Sequence, residues 1–105
     1  MTQAELHREI SAIAGRIYKA ASKGYADRTD LESFARNARN ANAAARECNF
    51  EAYSDAVVGA TALGEQFAQA ATDTPEASLF DQQTFIFGAK LREAFDQNCV
   101  CNRRK

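Results

Sequence analysis

Tryptophan is missing from this 105-residue chain, histidine, proline and methionine occur once each, and the charges cancel to a formal net of −1. Each scarcity narrows the function. A serine or cysteine nucleophile needs a positioned base and a third group to orient it. The lone histidine, His7, falls on the polar flank of the first helical segment, where a surface residue is expected. One proline and five glycines argue against long disordered or low-complexity stretches. The glycines are scattered rather than clustered behind a strand, so there is no phosphate-cradling loop. A domain that wraps nucleic acid usually carries a clear basic excess, and this one does not. No apolar run approaches the roughly 18 residues that span a bilayer. The first residues, with Glu5, His7, Arg8 and Glu9, lack the layout of a signal peptide. Three cysteines are an odd number without framework spacing, which points to a reducing cytoplasm.

What is present is alanine, the commonest residue, with the best helix propensity and no bulk to keep helices apart. Capping residues and breakers divide the chain into four amphipathic stretches. Thr2 with Glu5, Thr29 with Glu32, Asn49, and Thr74 before Pro75 read as starts. Gly24, the Cys48-Asn49 junction, Asp73-Thr74 and Asn98 read as stops.

The spacing predicts a first helix over about Gln3 to Ser22, with Leu6, Ile10, Ile13, Ile17 and Ala21 on one face and Ala14 and Tyr18 widening it. A second helix over about Asp30 to Glu47 turns Leu31, Phe34, Ala35, Ala38, Ala41 and Ala45 inward, with Asn42 at the margin. A third, about Phe50 to Ala71, buries Phe50, Tyr53, Val57, Ala60, Leu63, Gly64, Phe67 and Ala71. Its row of Ala56, Ala60 and Gly64 suits a tight helix crossing. A fourth runs from Pro75 to about Gln97, continuous or broken near Asp81, with Phe80, Thr84, Phe87, Leu91, Ala94 and Phe95 inward. The expected fold is all-α: a compact four-helix bundle-like domain over 1–98 with antiparallel neighbouring helices, then a short basic C-terminal tail over 99–105.

Little of this carries chemistry. Asp30 with Glu32, and Glu47 with Glu51, sit near helix N-termini, where the macrodipole accounts for them. Cys48, Cys99 and Cys101 fall short of the four ligands of a structural zinc site unless His7 joins them. Cys48 is expected as a small buried residue and the tail cysteines as free thiols. No cofactor, metal or enzymatic activity is expected.

Two surfaces stand out. Arg28, Arg36, Asn37, Arg39, Asn40 and Arg46 give the second helix an Arg/Asn face able to grip phosphate, base edges or acidic side chains. Phe85 and Ile86 fall off the buried face of the fourth helix, either as part of a central core or as exposed anchors for a partner. The favoured function is a non-enzymatic protein-binding module, an inhibitor or adaptor that occludes a larger host protein or nucleoprotein complex. In size and character the chain resembles the anti-CRISPR inhibitors of phages and mobile elements, although no motif carries that likeness. A small nucleic-acid-binding regulator and a homodimeric structural bundle are the alternatives.

Overall fold

Helix α1 (Gln3–Ala21) begins with the expected capping box. Thr2 Oγ1 accepts from the Glu5 amide at 3.1 Å, and the Glu5 carboxylate accepts from the Thr2 amide at 3.2 Å. Bonds from the Thr2 side chain and backbone hold the Glu5 carboxyl below its ordinary value. The computed structural model describes residues 2–99; the basic tail from residue 100 onward, including Cys101, lies outside them.

Helix α2 (Arg28–Glu47) starts two residues earlier than the spacing predicts. Its cap is Asp27, whose Oδ1 accepts from the Asp30 amide at 2.8 Å. A carboxylate at a helix N-terminus gains from the macrodipole as well as from the bond, so it displaces the Thr29 hydroxyl from that role. Glu32 pairs instead with Arg28 at 3.1 Å. Cys48 closes α2 in the left-handed region at φ 56°. Asn49 then caps α3 (Phe50–Ala70), accepting from the Ala52 amide at 3.1 Å. Helix α4 (Glu76–Asn98) is continuous through Asp81. Thr74 does not cap it, because its hydroxyl donates back to the Ala71 carbonyl at 2.6 Å.

The four helices form an all-α bundle with antiparallel neighbours. Between α1 and α4, Gln3 Nε2 donates to Gln97 at 2.9 Å, Lys90 pairs with Glu9 at 3.5 Å, and Arg16 donates to Gln83 at 3.1 Å. Residue numbers climb on one helix as they fall on the other. Between α2 and α3, Gln66 donates to Asp30 at 2.8 Å, and the Asn37 side chain lies against Gly59.

The core joins the aliphatic stripe of Leu6, Ile10, Ile13 and Ile17 to a chain of aromatic edges. Tyr25 meets Phe80 at 5.8 Å, Phe80 meets Phe67 at 5.9 Å, Phe67 meets Phe34 at 5.7 Å and Phe34 meets Phe87 at 6.1 Å between centroids. Alanines on α2 (Ala38, Ala41, Ala45) and α3 (Ala56, Ala60) are buried, and α2 against α3 is the most extensive of the helix interfaces. Gly64 is as tightly placed, since the Thr84 side chain occupies the space a Cβ would need.

Four expectations need correction. Phe50 is 65% exposed, and Phe85 at 78% is outside the core. The inner stripe of α4 is already filled by Phe80, Thr84, Phe87, Leu91 and Ala94, leaving the back of the helix uncovered. His7 is 5% exposed rather than a surface residue, because the C-terminal half of α2 lies over it. Cys48 and Cys99 are not free thiols; they form a disulfide across 5.5 Å between Cα atoms. Each closes its helix, and the bundle brings the C-terminal ends of α2 and α4 together. Cys99 is buried. Among the described residues no helix is long and apolar enough to cross a membrane.

Candidate functional site

Helices α1 and α2 meet less extensively than the other neighbouring pairs, and a groove of about 380 Å³ lies between them. Its α1 wall is Ser11, Ala14, Gly15 and Tyr18. Its α2 wall is Ala35, Ala38, Arg39, Asn42, Ala43 and Arg46, and Ile10, Phe34 and Phe87 reach its floor. Small side chains on two facing helices usually bring the backbones together. Here a polar knot between the walls takes up that space.

The knot is built on Asn42. Its Oδ1 accepts from His7 Nδ1, and its Nδ2 donates to the Ser11 hydroxyl at 3.3 Å and to the His7 carbonyl at 3.4 Å. Since the amide oxygen only accepts, His7 carries its proton on Nδ1. His7 Nε2 is buried with no hydrogen-bond partner among the described residues. Asn42 is therefore the hinge pin of the groove rather than a marginal member of a buried stripe.

Gly15 lies exposed on the opposite wall. A Cβ built on it would meet nothing within 4 Å, so no packing requires glycine there. It bares a stretch of helix backbone beside Tyr18.

Arg39 and Arg46 lie two turns apart on the α2 lip, about 10 Å along the axis. Both are exposed, and neither forms an ion pair among the described residues. Among the described residues, the lining contains no aspartate or glutamate. The groove is therefore apolar below and positive at one edge.

The structure divides the Arg/Asn face. Arg39 and Arg46 share the groove, whereas Arg36 points into open solvent and Arg28 is held by Glu32. Asn37 packs on Gly59. With Asn40 it borders a separate α2–α3 depression whose lining also carries Glu47 of α2 and Asp55 of α3, which makes that side acidic. Phe85 and Ile86 part as well. Phe85 lines a groove with α3 residues, and Ile86, 37% exposed, lies toward the flank where Gln83 and Lys90 meet α1. Sequence reasoning does not single out Ser11, Gly15, Tyr18 and Asn42, which the groove brings together. A glycine in the middle of a well-formed amphipathic helix was the one signal in the sequence that pointed there.

Among the described residues, no three His, Cys, Asp or Glu side chains cluster as metal ligands, and Cys48 and Cys99 are bonded to each other. Comparison with protein-family models, curated proteins and solved structures returns no match.

Proposed function

We propose that the chain is a non-enzymatic binding module whose α1–α2 groove takes an acidic segment of a larger partner protein. The observation that carries this is the pair Arg39 and Arg46, unpaired at the edge of an apolar groove with no acidic residue in its lining. An unpaired arginine beside an apolar cleft suits a carboxylate on a segment whose other face is hydrophobic. Tyr18 adds a large, rigid contact of the kind enriched where binding energy concentrates. Occlusion of a host complex, in the manner of the small inhibitors of mobile elements, fits a module of this size with a single charged docking edge.

A protein segment suits the site better than a nucleic acid. The floor is Ile10, Phe34 and Phe87, and net charge is slightly negative, so the long-range attraction that drives backbone binding is missing.

The test is affinity capture from the native cell with the wild-type chain and with Arg39→Glu/Arg46→Glu. A protein retained by the first and lost by the second, roughly a hundredfold in affinity, is the expected result. Capture that is indifferent to the double reversal overturns the assignment. So does a mobility shift of duplex DNA with a steep salt dependence that Arg36→Ala and Arg39→Ala weaken, which would establish the nucleic-acid alternative.

A further inference from the structure

The outer α3–α4 face, uncovered in the single chain, carries along α4 a stripe that is complementary to itself. Asp81, Phe85, Gly88 and Arg92 follow at steps of four, three and four, which sets them on one helix face. Read in the opposite direction, the stripe presents Arg92 where Asp81 stood and Gly88 where Phe85 stood. Two copies laid antiparallel thus place each Asp81 against the other's Arg92, and each Phe85 ring against the other's Gly88.

The structure supplies the hole as well as the knob. Phe85 is 78% exposed. A Cβ at Gly88 would have Thr61 Cγ2 at 3.9 Å as its neighbour and open space beyond. That glycine lies in a groove of about 470 Å³ between α3 and α4, walled also by Thr61 and Ala89. Val58, 64% exposed and one turn before Thr61, extends the apolar surface along the rim. Glycine at this point of a helix costs about 1 kcal/mol relative to alanine, and no packing among the described residues requires it. Arg92 meets Asp96 at 3.3 Å in an exposed i,i+4 pair, weak enough to exchange for Asp81 of a second copy.

We propose that two copies of this chain associate about a twofold axis between Phe85 and Gly88, each phenyl ring seated over the other copy's glycine and bracketed by reciprocal Asp81–Arg92 pairs. The pairing is isologous, as closed dimers require. It stands on observations separate from those at the α1–α2 groove.

Sedimentation equilibrium tests it. The wild type is expected to dimerise with a dissociation constant in roughly the micromolar range. Phe85→Asp should weaken association about a hundredfold or more with an unchanged circular dichroism spectrum, since the residue is exposed. Asp81→Arg and Arg92→Asp should each be monomeric alone and should associate when mixed, because only the mixed pair restores opposite charge at both ends. A wild type that stays monomeric at about millimolar concentration overturns the proposal. So does a dimer that survives Phe85→Asp, or a mixture of the two charge variants that associates no better than either alone.

Discussion

Gly15 and Gly64 occupy the interiors of long helices at the same intrinsic cost, about 1 kcal/mol each relative to alanine, yet their surroundings reverse the effect of replacing them. At Gly64 the Thr84 side chain fills the space a Cβ needs, and Thr84 Oγ1 is itself buried without a partner among the described residues. Gly64→Ala is therefore expected to lower stability by about 1–3 kcal/mol through overpacking. Thr84→Ala in the same chain should recover most of that loss, a coupling that a double-mutant cycle in urea measures. Gly15→Ala meets nothing and should raise stability by about 0.5–1 kcal/mol. The same change narrows the groove, so it should weaken whatever binds there while strengthening the fold. The sequence marks the need for packing around Gly64 through the row of Ala56 and Ala60. For His7 it does not. Periodicity puts that residue on the flank of α1, and only the course of α2 across it decides that Asn42 will bury it.

Among the helices, existence and inward faces were legible and the ends were less so. The apolar stripes of α1 and α4 are buried as their spacing predicts, because three- and four-residue periods reflect the geometry of one helix alone. Capping depends on which of several nearby acceptors wins, and Asp27 prevailed over Thr29 by a charge the pattern did not weigh. The disulfide was beyond reach for a different reason. It depends on where the ends of α2 and α4 fall in space, and no local rule connects positions separated by 51 residues. Its energetic role follows from that separation. A cross-link over so long a loop removes much of the unfolded chain's freedom, about 4 kcal/mol in the chain-entropy account. Reduction, or Cys48→Ser with Cys99→Ser, should lower the unfolding free energy by up to that amount, read as a fall in the urea midpoint at constant slope, without changing helical content in dilute buffer.

For the molecule as a whole, the neighbour order around the bundle matters most. With α1 against α2 and α4, and α3 against α2 and α4, the α1–α2 groove and the outer α3–α4 face lie on opposite sides. A dimer closed through α4 leaves both grooves facing outward. Two partners should then bind each dimer, a two-to-two assembly that light scattering can weigh. The monomeric Phe85→Asp chain should bind one partner with the same intrinsic affinity. Its apparent affinity should fall only where the partner presents two acidic segments on one body. The sequence offers a homodimeric bundle as an alternative but not the geometry of its interface. An outer helix face has the same residues whether it meets water or a second copy, and the self-complementary order of Asp81, Phe85, Gly88 and Arg92 gains meaning only once the helix is known to be continuous and its back uncovered.

The covalent bridge also divides the molecule mechanically. Joining Cys48 to Cys99 closes a covalent ring that contains α3 and α4 and leaves α1 and α2 outside it, with α2 attached to the ring through its C-cap, Cys48. Tension applied through the N-terminus therefore peels α1 away without loading a covalent cross-link. It first shears the polar pairs with Gln83, Lys90 and Gln97 and then draws the four-residue aliphatic stripe out of the core. The walls of the candidate groove are joined by the turn over 22–27, and the disulfide secures only the far end of α2, so a partner that grips both walls clasps α1 to the cross-linked remainder of the bundle.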